Sequence, residues 1–261
     1  MFDKMIKNAL NTVQKCVTLL LLFILFDITI SIINSLPLLL PGSKEPPLIS
    51  VPLTIVLTLV MIPVVTFFHA GLYGITFLKI NSQKVDIYKF INLALKNFIE
   101  FLRIDLTMIA ISVAMSGLFW VVIPPLLKNI PVLAFGPIQY ATLFNYLSIF
   151  LFFLTELFFF FSYPLVMVGY FSDRNLKPLR TSFSYVIRHA RKIRMVIIIL
   201  VIKFILGRIF NGVIPNEYLI PSKTIMPFIL TPLSFLALVY SFLLLKECFY
   251  KDLEYNYEKT A

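Results

Sequence analysis

Polar residues disappear from this chain for about twenty positions at a time, and they do so repeatedly. The apolar stretches run approximately Cys16 to Leu36, Pro52 to Leu78, Leu106 to Leu127, Ile138 to Tyr170, Met195 to Gly212 and Ile225 to Leu245, the fifth being the shortest and most polar. A helix of about 20 apolar residues crosses the roughly 30 Å hydrocarbon layer of a bilayer, so the pattern predicts six membrane-spanning helices. The first stretch follows a basic start (Lys4, Lys7, Lys15), as in a secretory leader. Its core is longer than the about 7–15 residues of such a leader and ends in Leu36-Pro37-Leu38-Leu39-Leu40-Pro41, so a retained helix is expected.

The connections are of two kinds. Those after the first, third and fifth stretches are short and carry Pro41, Pro46, Pro47, Pro131, Pro137, Pro215 and Pro221. Proline lacks an N–H donor and clashes with the preceding turn, so these read as loops that turn the chain back. The connections after the second and fourth stretches are long and basic. In Ile87 to Arg103, the residues Lys89, Asn92, Lys96, Glu100 and Arg103 recur at helical spacing opposite Ile87, Phe90, Ile91, Ala94, Phe98 and Phe101. Arg180, Ser184, Arg188 and Arg191 likewise stand opposite Phe183, Val186, Ile187, Ala190 and Ile193. Two basic amphipathic helices lying in the membrane interface are expected.

The order of span, hinge, basic helix and span thus occurs twice, over 52–127 and 138–212, within a single integral membrane domain, 1–261. Ile91-Asn92-Leu93-Ala94-Leu95-Lys96-Asn97 can be laid over Phe183-Ser184-Tyr185-Val186-Ile187-Arg188-His189. Both copies run the same way, a parallel repeat of the sort some transporters use. Pro63 and Pro164, at comparable places in the two copies, are candidate kinks.

Composition supports lipid as the solvent. Hydrophobic residues make up 59% of the chain, charged residues 14%, and mean hydropathy is +0.92. Soluble domains carry roughly 45–50% and about 25%, so a water-soluble fold could not hide this surface.

The net charge of +10 raises the question of nucleic acid. The charges flank the apolar stretches instead, where they set topology and attract anionic lipid, so no nucleic-acid partner is expected. Eighteen of the 23 Lys and Arg fall in the N-terminal segment, Lys79 to Arg103, Arg174 to Arg194 and Lys246 to Lys259. Lys44, Lys128, Arg208 and Lys223 fall in or beside the other connections, and Lys203 lies within a span. The positive-inside rule then puts both termini in the cytoplasm, with an even number of crossings of the cell membrane.

Pro178 to Lys192, with its central Ser184 and Arg188 ahead of an apolar helix, resembles the membrane domain attached to some glycerophosphodiester phosphodiesterases and its uncharacterised six-helix relatives. The resemblance covers about the middle two-thirds of the chain through its layout. It implies a polytopic helical fold and no catalytic residues here, since the hydrolase activity belongs to a separate soluble domain.

Four ionisable residues inside the spans are the candidate chemistry: Asp27, His69, Glu156 and Lys203. An ionised group at the centre of a membrane helix costs about 2.5–3.5 kcal/mol, and these four lie about 12 to 21 Å from their cytoplasmic ends at ~1.5 Å per residue. Lys203 is expected to pair with Glu156 or Asp27, either as a packing lock or as part of a transport or proton path. Glu100, Arg103, Asp105, Asp173 and Arg174 read as solvated caps or head-group contacts. Cys16 and Cys248 have no Cys or His at ligand spacing, so neither a metal nor any other cofactor is expected. No zinc-protease pair, nucleophile loop or phosphate-cradling loop is present, so a non-enzymatic protein is expected. With eight glycines and no GxxxG spacing, GxxxG packing faces are not expected.

The resulting expectation is an all-α polytopic membrane protein that interacts with anionic lipids or assists a membrane protein partner. Lys89, Lys96, Arg180, Arg188, Arg191, Lys192 and Arg194 would then hold head groups. The alternative is a small permease built around the four intramembrane residues.

Overall fold

A computed structural model describes residues 2–35, 50–128, 137–172, 177–213 and 219–260. Among the described residues every regular element is an α-helix: α1 (Phe2–Lys15), α2 (Val17–Ser35), α3 (Ser50–Ile80), α4 (Ile87–Lys128), α5 (Pro137–Phe159), α6 (Ser162–Ser172), α7 (Pro178–Arg188), α8 (Ala190–Val213) and α9 (Leu219–Thr260). Lys44, Pro41, Pro46, Pro47, Pro131, Asp173, Arg174 and Pro215 lie outside the described residues.

Among those residues, Leu59–Ile80, Tyr146–Gly169 and Ile225–Glu247 are long and apolar enough to cross a membrane. A fourth crossing is added if α1 and α2, bent 75° at Cys16, are taken together. Two expected loop prolines fall inside helices: Pro137 opens α5 and Pro221 is the third residue of α9. In a first turn the missing N–H has no helical partner to lose, so proline is tolerated there. Pro164 behaves otherwise. Its ring opposes the carbonyl four residues back, that of Phe160, and the chain leaves helical geometry at Phe160 and Phe161, between α5 and α6. By contrast, α3 runs unbroken through Pro63.

The turn from α3 to α4 is specified residue by residue. Ser82 takes the left-handed conformation (φ 60°) while Gln83 N donates to Leu78 O at 3.0 Å and Ser82 N to Lys79 O at 3.0 Å, the paired closure that ends many helices. Asp86 then caps α4, its Oδ1 accepting from Lys89 N at 2.7 Å. The 42 residues of α4 form one rod about 63 Å long, which carries both the first basic segment and the third apolar stretch.

In hydrocarbon, helices associate through shape and polar contacts rather than by escaping water. Here α3 and α4 approach each other closely at Gly71 and Gly74. A Cβ at Gly74 would lie 2.9 Å from Leu93 Cβ, and one at Gly71 would strike the ring of Phe90. Close backbone packing is therefore present, at i, i+3 rather than GxxxG spacing. The centre of the bundle is α9, which packs on α1, α2, α6 and α8. Aromatic rings fill the space around it: Tyr73 meets Phe23, Phe101, Tyr163 and Phe242 at centroid distances of 6.2, 5.7, 5.7 and 6.5 Å.

One end of the bundle gathers the basic segments. Lys246 Nζ donates to Asn81 Oδ1 at 2.7 Å, α1 packs on α9, and Arg194 lies within electrostatic range of Tyr240.

Candidate functional site

Three positions of α3 set up the site. Thr66, His69 and Tyr73 are three and four residues apart, so they share the helix face turned toward α2, α4 and α6. A carboxylate stands near this face on each of two other helices. From α4, Asp105 accepts from Thr66 Oγ1 at 2.5 Å and from the Tyr163 hydroxyl, which comes from α6. From α2, Asp27 accepts from Thr231 Oγ1 of α9 at 2.5 Å. The third carboxylate, Glu156 of α5, receives Lys203 Nζ of α8 at 2.8 Å.

These contacts belong to one cluster. His69 lies within electrostatic range of Asp27, Asp105 and Lys203, while Tyr73 lies within range of Glu156, Asp105 and Asp27. The rings of Phe26 and Tyr73 flank His69 at 5.5 and 6.1 Å. Seven helices thus contribute a side chain: α2, α3, α4, α5, α6, α8 and α9. Among the described residues of this cluster, Lys203 pairs with Glu156, Asp105 accepts from Thr66 and Tyr163, and Asp27 accepts from Thr231.

Of the expected residues, Lys203 pairs with Glu156 and His69 lies within electrostatic range of Asp27 and Lys203, and other residues that sequence reasoning assigned elsewhere join them. Asp105 is not a solvated cap: it is half-buried and held by Thr66 and Tyr163. The cause is helical phase, because Asp105 follows buried Phe101 by one turn while Arg103 points outward and pairs with Glu100 at 2.7 Å. Tyr73, Tyr163, Thr66 and Thr231 were not singled out at all. Among the described residues no group of His, Cys, Asp and Glu is arranged to hold a metal ion.

The expected head-group residues lie apart from this cluster. Lys96, Arg180, Arg188, Arg191, Lys192 and Arg194 are exposed, and Lys89 is half-buried with Nζ on Lys84 O at 2.9 Å. Their helices have three faces rather than two. In α7 the buried face is Ser182, Tyr185 and Val186, whereas Phe183 and Ile187 of the expected apolar face are 44% and 57% exposed. On α4, Leu93, Ala94, Asn97 and Phe101 are buried while Ile87, Ile91, Leu95 and Ile99 form an exposed apolar stripe. The short α1 adds a similar element: Ala9 is buried and Met5, Ile6 and Val13 pack against the core, opposite exposed Lys7 and Lys15.

Compared with protein-family models, curated proteins and solved structures, the chain has no match. The reading of this site therefore rests on its chemistry.

Proposed function

We propose that this chain is a six-span permease of the cell membrane, both termini cytoplasmic, that moves protons or a proton-coupled solute through the Asp27–His69–Asp105–Glu156–Lys203 cluster. The carrying observation is that Asp27, Asp105 and Lys203 all lie within electrostatic range of His69 while Lys203 is paired with Glu156, so that among the described residues of the cluster three carboxyl groups stand against one ammonium. Ionised groups are costly in hydrocarbon, and protons are the smallest charges that can close such an imbalance. His69 and the phenols of Tyr73 and Tyr163 supply groups able to pass a proton between carboxylates on different helices. Six crossings accommodate the apolar halves of α4 and α8 and keep the basic end on one side, as positive-inside topology requires. No enzymatic step enters this reading.

The test is proton movement in proteoliposomes under an imposed pH gradient, read by an entrapped pH-sensitive dye. Wild-type protein is expected to dissipate the gradient faster than empty vesicles, and Glu156→Gln to remove at least nine-tenths of that rate while the protein stays monodisperse. Equal rates for wild type, Glu156→Gln and empty vesicles would refute the proposal.

A second reading has its own support in the exposed apolar stripe of α4, Ile91, Leu95 and Ile99, beside exposed Lys96 and Arg103. In it the basic helices rest on anionic lipid and present the protein to a membrane partner. That reading expects salt-sensitive binding to anionic vesicles to fall when Arg180, Arg188, Arg191, Lys192 and Arg194 are replaced by Gln, with proton flux unchanged.

A further inference from the structure

Each of α2 and α3 has its main partner elsewhere, α2 on α9 and α3 on α4, so the two touch only sparsely. Between them lies a groove of about 800 Å³, within the range of small-molecule sites. It follows α2 from Thr18 to Ile33 and α3 from Met61 to Lys79, with Lys15, the last residue of α1, at the bend beside its end. These intervals span about 23 and 27 Å of helix, and the two helices run in opposite directions with both lysines at one end. One leaflet's hydrocarbon is roughly 15 Å deep, half of the ~30 Å core, so the groove exceeds the depth of a single leaflet.

The lining separates into two chemistries along this length. Most of the wall is apolar: Leu22, Leu25, Val64 and Phe68 are exposed along it, and the hydroxyl of Thr29 is turned back to Leu25 O at 2.8 Å. The mouth carries Lys15 and Lys79, both exposed, with no ion pair among the described residues. The carboxylate at the mouth, Asp86, is engaged as the cap of α4. Two ammonium groups at one end of an apolar channel, level with the basic end of the bundle, match a molecule with an anionic head and a long hydrocarbon tail.

We propose that this groove binds one anionic phospholipid, its phosphate between Lys15 and Lys79 and one acyl chain along α2 and α3 as far as Phe26 and Phe68. This site uses neither the charged cluster nor the basic residues of α7 and α8, and it stands whether or not the protein moves protons. The stacked pair Phe26–Phe68 (5.0 Å) forms the groove's inner wall, and Phe26 also touches His69, so a bound chain would lie one ring away from the cluster.

The experiment is native mass spectrometry of the full chain, delipidated in neutral detergent and titrated with phosphatidylglycerol or phosphatidylcholine of identical chains. A basic residue near an anionic head group is worth about a factor of five, so two predict a preference of about 25-fold for phosphatidylglycerol. Lys15→Gln with Lys79→Gln is expected to bring that preference to within about twofold while phosphatidylcholine binding is unchanged. Val64→Trp, which fills the channel, is expected to weaken both lipids at least tenfold. Equal affinity of wild type for both lipids, an undiminished preference in the lysine variant, or wild-type binding by Val64→Trp would each overturn the proposal. A phosphatidylglycerol carrying a photoreactive group at mid-chain gives a reading on unaltered protein: labelling within 22–33 or 61–72 is expected, and labelling confined to other helices would also overturn it.

Discussion

In α3 and α4 the chain turns once, through a closed helix end and an aspartate cap, and the two long rods then meet at Gly71 and Gly74. From α5 to α8, which follows the same order of apolar and basic stretches, helical geometry is interrupted at Phe160-Phe161 and again at His189. The first region is held by backbone proximity together with the Thr66–Asp105 hydrogen bond between its two rods. The second is held by polar side chains placed where its helices stop. Ser182 Oγ of α7 donates to Phe158 O in the last turn of α5 at 2.9 Å, taking a carbonyl left without its helical partner, and Glu156 and Lys203 tie α5 to α8. A layout shared at the level of hydropathy can therefore be stabilised by different physics in each half.

The two regions can be separated by substitution. The largest effect is expected from Lys203→Met, which leaves Glu156 without its partner: a loss of about 3 kcal/mol in detergent unfolding, most of it recovered when Glu156→Gln is added. Recovery that fails in the double variant would mean that the pair does not act as a unit. Next comes Gly74→Ala. Despite alanine's better helix propensity, its Cβ meets Leu93 Cβ at 2.9 Å, and a cost of about 1–3 kcal/mol is expected. Ser182→Ala should cost about 1 kcal/mol and raise amide exchange around Phe158, with α3 and α4 unaffected. The smallest change carries the opposite sign. Gly207→Ala places its Cβ 3.6 Å from Leu230 Cδ1, an ordinary contact, so a gain of about 0.5–1 kcal/mol in thermal unfolding is expected. If Gly74→Ala and Gly207→Ala shift stability alike, the contrast between the two regions fails.

Helical character and the apolar stretches were legible because a bilayer permits little else at that hydropathy. The four intramembrane ionisable residues stood out for the same reason: charge inside an apolar run is conspicuous. Asp105 was hidden by its neighbours, because Glu100 and Arg103 make the segment look solvated. The stripe Ala94, Phe98, Phe101 nevertheless predicts, one turn on, that position 105 faces inward. Thr66, Tyr73 and Tyr163 carry no such mark, since hydroxyls and phenols are common in membrane helices and gain meaning only from what stands opposite them. The close face at Gly71 and Gly74 has a spacing of three rather than the four of GxxxG, and the break at His189 has no sequence signal of the kind Pro164 provides. The inward side of α1 was readable in Met5, Ile6, Ala9 and Val13, but its lysines drew attention to topology instead.

Asp27 and the Thr231 hydroxyl that meets it are 204 residues apart. At the about 5–20 residues per second of protein synthesis, roughly 10–40 s pass between the appearance of the carboxylate and that of its donor. Over that interval α2 must reside in the bilayer, or at the insertion machinery, with Asp27 served by water, by lipid or by a chaperoning subunit. The bundle can close around Asp27 only once α9 arrives, which makes biogenesis the step most exposed to any shortening or slowing of the chain between them.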